Sequence, residues 1–311
     1  MLKVMSKVVL LTLVSTMLFW HEAGHRAVGS IAHEHLTQVA KDQIDDLLKS
    51  LPDPHTAKNT VTPPDPFHLL PQGFQPSGEA TLKPATLEEA ADWPDKVRGT
   101  WLHREDWHFI NFSVNGPGGH AAPLVGGKAV DVIVALIAVA QDTTQPKPTR
   151  AIALAWVAHL VGDIHQPLHA VAYFDTAHPD GDRGGNRYLL KATGKPATSP
   201  NLHSFWDGVV GEGPSDVPAL IERGSRLPQP SASQVAIGMT SLRPTVLSWA
   251  KGSVAIAKSS VYRIGPDGKP RLNALASQFK PASQPGARDI ADARVQVAGL
   301  RLAALLNAAF K

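Results

Sequence analysis

The sequence contains no cysteine among its 311 residues, and this absence excludes several classes of function at once. Disulfide frameworks, thiolate zinc fingers, iron–sulfur clusters and cysteine nucleophiles are all ruled out. Any metal ion must therefore be bound through nitrogen and oxygen atoms. Tyrosine (3), methionine (4) and phenylalanine (9) are also scarce, whereas histidine reaches 14 residues. Histidine is thus the residue type whose abundance calls for a functional explanation.

The sequence also lacks a large excess of charge of either sign. The 30 basic and 27 acidic residues leave a formal net charge of +3, and the isoelectric point is about 9.1. This excess is compatible with polyanionic substrates but too small to indicate them. With 43% hydrophobic and only 18% charged residues, the chain is not of the disordered class, and its length suits one large domain or two small ones.

A hydrophobic run long enough to cross a bilayer is lacking, so we expect no stable membrane span. The N-terminus instead carries Lys3 and Lys7 followed by the uncharged run Val8–Phe19, which is typical of a secretory signal. We therefore predict a signal peptide at residues 1–19, a mature domain at 20–311, and a secreted or periplasmic location. The bulky Phe19 before the cleavage point fits signal peptidase poorly, and a buried N-terminal helix is the alternative.

The spacing of apolar residues along the rest of the chain is helical, without alternating strands and helices and without an internal repeat. The pattern predicts an all-α fold: a single mainly helical domain with long loops and one short β-hairpin at most, at residues 187–192. In the segment 127–142, apolar residues would cover nearly every face of a helix, which predicts that this helix is the central one. Long loops are expected at 53–78 and 175–186. Helices are predicted at 25–50, 87–98, 127–142, 151–165, 217–224, 232–261 and 286–310.

Two His/Asp pairs with the same spacing are the strongest chemical signal. His159 and Asp163 lie four residues apart in an apolar helical stretch, so both side chains are on one helix face. A buried imidazole and a buried carboxylate are costly unless they pair or bind a cation, and zinc accepts both. His203 and Asp207 repeat the pattern. A satisfied His–Asp hydrogen bond is the structural alternative for the first pair, and Asp207 could simply cap a helix.

Three further polar residues lie among aromatic or turn residues. His169 follows the helix-breaking Gln166-Pro167 step, Asp95 follows Trp93-Pro94, and His108 lies between two aromatic residues. Each has a structural explanation as well, since Asp95 could cap its helix or pair with Arg98, and His108 could be core filler. The joint pattern is what favours a metal centre.

The order of these motifs resembles the zinc-dependent single-strand nucleases, the S1/P1 nuclease family, which is related to zinc phospholipase C. The resemblance runs from residue 20 to the closing helix, and its string from Gly162 to His169 is highly specific. The motifs are Trp20-x4-His25, Trp93-Pro-Asp95-x2-Arg98, His108-Phe-Ile, His159-x3-Asp163-x5-His169 and Asn201-Leu-His203-x3-Asp207.

This resemblance implies three zinc ions, each with its own ligands. Asp95, His108, His159 and Asp163 would hold the first ion, and His169, His203 and Asp207 the second. The third would be bound by the free α-amine and carbonyl of Trp20, by His25, and by the other oxygen of Asp163, which would bridge two ions.

The implied activity is hydrolysis of single-stranded DNA and RNA to 5′-nucleotides, and 3′-nucleotides would be further substrates. The resemblance implies no protein partner. Asp163 and Arg98 would be the catalytic residues, because Arg98 matches the arginine that contacts the scissile phosphate. Phe109 matches the base-stacking aromatic residue, and Asn186 matches a residue near the cleft. Asn111 stands where the nucleases usually carry an aspartate that touches the base. This departure keeps a phospholipase C-like phosphodiesterase as the alternative, beside a non-catalytic zinc-binding protein of the same fold.

Overall fold

The computed structural model describes residues 20, 22–53, 83, 85–98, 100, 102–115, 124–189, 201–270 and 285–311. Within these ranges the chain is mainly helical with one small sheet, which confirms the predicted fold class. The predicted signal peptide and most of the predicted loop at 53–78 lie outside the described residues. The helices are α1 Glu22–Glu34, α2 Gln38–Leu48, α3 Leu87–Lys96, α4 Ala129–Gln141, α5 Lys147–Asp163, α6 Leu202–Gly208, α7 Val217–Ser225, α8 Ala232–Val235, α9 Leu242–Ile256 and α10 Pro285–Ala309.

The central helix of the domain is α5, and the prediction that 127–142 holds this place is wrong. Every residue of α5 from Ala151 to Asp163 is buried, because α1, α3, α4 and α10 all pack against it. In α4, by contrast, Asp131, Ala138 and Gln141 are exposed to solvent. Both segments are apolar in composition, so periodicity could not rank them; only the packing of the other helices decides which one is enclosed.

The predicted helix over residues 25–50 is also wrong, since it is two helices with a break at residues 35–37. Thr37 caps α2 by accepting a hydrogen bond from the Ala40 amide at 3.3 Å. Asn307 of α10 closes the break: its side chain accepts a hydrogen bond from the Thr37 amide (2.8 Å) and donates one to the His35 carbonyl (3.0 Å). The partner that satisfies the open backbone groups is therefore distant in sequence, where a local pattern carries no information.

The single kinked helix predicted at 232–261 is instead α8, a loop, and α9, which continues into a π-helical turn at Ala257–Val261. Pro244 lies in the first turn of α9, where its missing N–H has no intrahelical partner to lose. Five other helices, α3, α4, α5, α7 and α10, confirm the predicted segments to within a few residues, whereas α6 was not predicted.

A small three-stranded sheet was not predicted. Its strands are β1 Ile110–Ser113, β2 Leu124–Gly127 and β3 Val171–Ala172, in the order β2-β1-β3. β1 pairs antiparallel with β2 and parallel with β3, where Phe112 faces Val171. β1 begins two residues after His108 and β3 begins two residues after His169, so the sheet holds two predicted ligand segments side by side. At the predicted hairpin, the described residues show only a bridge between Leu189 and Asn201.

The C-terminal end of α5 is held by side chains from α9 and α10. Ser253 donates a hydrogen bond to the Ile164 carbonyl at 2.6 Å, and Nε of Arg294 donates one to the His165 carbonyl at 3.0 Å. The His165 ring donates to the Val161 carbonyl at 2.7 Å and accepts from Arg301 at 2.8 Å. Among the described residues, no helix combines the length and apolar character that crossing a bilayer requires.

Candidate metal centre

The predicted ligands come from several elements that meet at the C-terminal half of α5. Asn201 caps α6 by accepting a hydrogen bond from the Ser204 amide at 2.8 Å, and Thr86 and Glu89 form a capping box that starts α3. Such caps set where each helix begins and so which residues face inward. The ligand candidates are Trp20 just before α1, His25 in α1, Asp95 in α3, His108 just before β1, His159 and Asp163 in α5, His169 in the 3-10 turn Pro167–Ala170, and His203 and Asp207 in α6.

Asp163 lies between four histidines, and its two oxygens face different ones. Oδ2 is 3.0 Å from Nδ1 of His108 and 3.3 Å from Nε2 of His159. Oδ1 is 3.4 Å from Nε2 of His25 and 3.3 Å from Nδ1 of His169. All four side chains and the carboxylate are buried. One carboxylate thus joins two sides of the cluster, as a bridging ligand must.

Three groups of side chains have ligand atoms within 4.8 Å of one another. His159 belongs to two of them, whereas the resemblance assigns it to one ion only. Trp20 contributes no side-chain ligand to any group. The groups are His25 with His159 and Asp163, Asp95 with His108 and His159, and His169 with His203 and Asp207.

Three of the histidines are oriented by hydrogen bonds to backbone carbonyls. Nδ1 of His159 donates to the Ala91 carbonyl at 2.8 Å, Nδ1 of His169 to the His108 carbonyl at 2.7 Å, and Nδ1 of His203 to the Gly184 carbonyl at 2.7 Å. When Nδ1 carries the proton, the neutral ring presents the lone pair of Nε2. Each ring is therefore held in the tautomer that a zinc ligand requires.

Burial makes the carboxylates of the centre electrostatically costly. It raises the pKa of Asp95 to about 7 and that of Asp207 well above its usual range. Burial alone would also raise the pKa of Asp163, but the charges of His159 and His169 hold it well below its usual range. Burial likewise opposes protonation of His159, yet Asp163 and Asp95 raise its pKa to about 9. Several buried carboxylates close together favour a bound cation.

Buried ligand atoms without a hydrogen-bond partner indicate that the residues of the centre fit metal ions. Within the described part of the chain, Nε2 of His25, Oδ1 of Asp163 and Oδ2 of Asp207 are buried and form no hydrogen bond. Buried polar atoms in native proteins nearly always have partners, and an unsatisfied one needs an explanation such as an ion. Nitrogen and carboxylate oxygen are donors that zinc accepts. The donor set therefore fits zinc.

Gly162 makes room for His25 beside this cluster. A Cβ atom at residue 162 would lie 2.9 Å from Nδ1 of His25, which is too close for a real contact. The Trp20 ring is buried and meets the His25 ring edge-on at 6.3 Å between centroids. The start of the described chain thus lies directly at the cluster.

A family model described as S1/P1 Nuclease matches residues 20–311, which is most of the chain. The chain belongs to the S1/P1 nuclease family. It is also similar to Endonuclease 2 of Arabidopsis thaliana, with 26% identity over 215 residues. That alignment covers 65% of this chain and 62% of the plant protein, so the chain matches less than two thirds of its relative.

In this member of the S1/P1 nuclease family, Phe109 lies at the rim of the buried cluster, next to His108, and is partly exposed. Its ring packs on Gly127, whose φ of +84° is a conformation that L side chains rarely adopt. A Cβ at residue 127 would lie 2.5 Å from the Phe109 ring. Asn111 is two residues further on, within β1, and is also partly exposed; β1 pairs it with Gly126.

Arg98 and Asn186, the other predicted substrate residues, differ in how they connect to the cluster. A guanidinium nitrogen of Arg98 lies 3.1 Å from Oδ1 of Asp95, and its side chain is 32% exposed. Asn186 donates a hydrogen bond to the Arg183 carbonyl at 2.9 Å, within its own loop. The structure thus places Arg98 directly against a candidate ligand, whereas Asn186 hydrogen-bonds within its own loop, whose Gly184 carbonyl accepts the hydrogen bond of His203.

Two residues near the centre were missed by sequence reasoning. Gln166 is fully buried and donates a hydrogen bond to Asp207, although the prediction used it only as part of a turn. His103, which the sequence analysis did not single out, is half-buried with its ring 6.0 Å from that of His108, and burial lowers its pKa. A glutamine between two predicted ligands, Asp163 and His169, is a signal that could have identified Gln166.

Proposed function

We propose that the protein is a zinc-dependent phosphodiesterase that hydrolyses single-stranded DNA and RNA to 5′-nucleotides and also removes the phosphate of 3′-nucleotides. The observation that carries this proposal is the junction at Asp163, where the carboxylate oxygens face histidines of all three ligand groups. Membership of the S1/P1 nuclease family and the likeness to a plant endonuclease support it.

The three groups of the centre would hold three zinc ions. Zinc bound there would supply Lewis-acid polarisation of the phosphate and would lower the pKa of a water molecule, so that no covalent enzyme nucleophile is needed. The chain's own contribution is rigidity. Carbonyl-bonded imidazoles and a carboxylate held between helices keep the ligand atoms in place before substrate arrives.

Arg98 would bind the phosphate that is cleaved. Its planar guanidinium presents paired donors that match phosphate oxygens better than a lysine ammonium does. The contact with Asp95 orients the side chain at the edge of the ligand cluster, and its partial exposure lets substrate reach it. Arg98 would therefore stabilise negative charge as the phosphoryl group reacts.

Phe109 would select single strands. Stacking on an aromatic ring requires the open face of a base, which a duplex hides between neighbouring base pairs. The ring is partly exposed and supported from below by Gly127. Asn111, two residues after Phe109 and also partly exposed, would offer an amide to the stacked base, and Asn186 would contact substrate from its own loop.

We also infer that residues 1–19 are removed as the protein is exported to the periplasm or the exterior. Cleavage before Trp20 would release an α-amine at the start of α1, next to His25. That amine and the Trp20 carbonyl would complete the ligands of the ion shared by His25 and Asp163.

Metal analysis and substrate comparison test this function together. Purified protein beginning at Trp20 should contain close to three zinc ions and should cleave single-stranded DNA and RNA much faster than duplex DNA. It should also release phosphate from 3′-AMP. Faster hydrolysis of phosphatidylcholine than of nucleic acid would establish the phospholipase alternative, and three bound zinc ions without any hydrolysis would indicate a non-catalytic protein.

A further inference from the structure

Gln166 lies three residues after the end of α5 and is buried, and its side-chain amide lies between two polar partners. Nε2 donates a hydrogen bond to Oδ1 of Asp207 at 2.8 Å, and Oε1 accepts one from the Leu168 amide at 2.5 Å. Gln166 and Asp207 are both fully buried. The side chain thus links the turn after α5 to helix α6, which lies 41 residues away along the chain.

The two hydrogen bonds determine which way the amide faces. The Leu168 amide can only donate, so it must meet the oxygen of Gln166. The nitrogen of Gln166 must then point towards Asp207, where it needs an acceptor, and a carboxylate oxygen is one. Gln166 and Asp207 are therefore matched in donor and acceptor character, and a flipped Gln166 amide would leave buried polar atoms unsatisfied.

This match leaves the other oxygen of Asp207 available. With Oδ1 bonded to Gln166, Oδ2 is buried, forms no hydrogen bond to any described residue, and lies 3.6 Å from Nε2 of His203. The backbone of Gln166 also shapes the same ligand group, because its carbonyl accepts a hydrogen bond from the His169 amide at 3.1 Å. One residue thus orders two members of the group His169, His203 and Asp207.

We propose that Gln166 is a positioning residue that presents Oδ2 of Asp207 to the ion held by His169, His203 and Asp207, and that it sets the affinity of that ion alone. This inference rests on the zinc-dependent function proposed above. It predicts that the other two ions, which share Asp163, are bound independently of Gln166. Removing a partner of this kind typically weakens metal binding or activity about 10- to 100-fold.

Two variants separate this role from a purely structural one. Gln166→Glu keeps an acceptor for the Leu168 amide, so the turn is retained, but it cannot donate to Asp207 unless it is protonated. Gln166→Met has a similar size and loses both hydrogen bonds. As a matched control, Gln145→Glu alters the same type of bond in the loop between α4 and α5, where Gln145 donates to Oδ2 of Asp142 at 3.3 Å.

The measurement is zinc stoichiometry after dialysis against graded concentrations of a chelator, with thermal melting to confirm folding. We expect both Gln166 variants to lose one of three zinc ions at a chelator concentration about 10- to 100-fold lower than the original protein needs. Turnover on single-stranded DNA should fall with that ion, mainly in kcat, whereas Gln145→Glu should match the original in both measurements. If Gln166→Met does not fold, the zinc content and turnover of Gln166→Glu alone test the inference.

Two results would overturn the inference: retention of all three ions with unchanged chelator sensitivity, or loss of ions from all three groups together. The second result would mean that Gln166 only supports the fold. If the unaltered protein itself holds fewer than three zinc ions, the proposed function fails first, and the inference fails with it.

Discussion

His25 and His159 stack face to face, with ring centroids 3.8 Å apart and planes inclined by 17°. The first ring comes from α1 and the second from α5, and their Nε2 atoms lie 3.4 Å and 3.3 Å from different oxygens of Asp163. The stack therefore brings two ligand groups together on one carboxylate. A change at that carboxylate should disturb both groups, while the third group should be affected less.

Asp163→Asn tests the bridge. The amide keeps the size of the side chain but lacks the charge and one acceptor oxygen, so two of the three zinc ions should bind more weakly. Hydrolysis should fall by more than about a hundredfold, since a direct ligand matters more than its supporting partners. Zinc analysis and the rate on single-stranded DNA measure this. Asp131→Asn, at an exposed site paired with Arg243, is the control. Unchanged zinc content and rate would mean that Asp163 is only part of a buried hydrogen-bond network.

Phe109→Ala tests substrate selection. Stacking contributes about 1–3 kcal/mol per base, so kcat/KM on single-stranded DNA should fall roughly 10- to 100-fold. The rate on bis(p-nitrophenyl) phosphate, which offers no nucleobase to stack, should change far less. Equal losses on both substrates would show that Phe109 serves to support His108. Loss on neither, with phosphatidylcholine as the better substrate, would favour the phospholipase alternative.

The N-terminus offers a separate test. Protein that begins at Trp20 should bind one more zinc ion than protein with a single alanine added before Trp20, because the addition removes the α-amine from its place beside His25. The two proteins should melt at similar temperatures once the metal has been removed. Equal zinc content in both would contradict a role for the Trp20 amine.

Asp182 should make stability depend on pH. Its buried carboxyl accepts hydrogen bonds from the Tyr262 hydroxyl at 2.6 Å and the Tyr173 amide at 2.9 Å, and burial raises its pKa above the usual 3.8. The folded protein therefore holds this proton more tightly than the unfolded chain. The stabilising contribution of Asp182 to the free energy of unfolding is therefore present below pH 3.8, and it is lost as the pH rises through the higher pKa of the folded state.

Melting temperatures of Asp182→Asn and the original protein, compared across this range, measure the effect. Asp182→Asn has no such proton. The melting temperature of this variant minus that of the original protein should therefore increase with pH and then level off. Asp142→Asn should show the opposite trend below pH 3.8, since hydrogen bonds from Thr144 lower the pKa of that exposed carboxyl. A constant difference between Asp182→Asn and the original at every pH would contradict the prediction.

Much of the fold and the choice of candidate ligands could be read from local pattern. His159 and Asp163 are one helical turn apart, and so are His203 and Asp207, because the backbone geometry of a helix places residues four apart on one face. The helices α3, α4, α5, α7 and α10 were likewise visible in apolar spacing. These features depend on neighbours in sequence, which is why the sequence by itself determined them.

Contacts between distant segments were decided only by the tertiary structure. The break before Thr37 depends on Asn307, the enclosure of α5 depends on the helices packed around it, and the sheet joins strands that are each too short to be recognised from sequence. The same holds at the centre, where Gln166 orients Asp207 and where Asp163 turns one oxygen to His25 and the other to His159. Hydrogen-bond partners and rotamers are chosen by whichever groups packing brings within reach, and no local spacing specifies that choice.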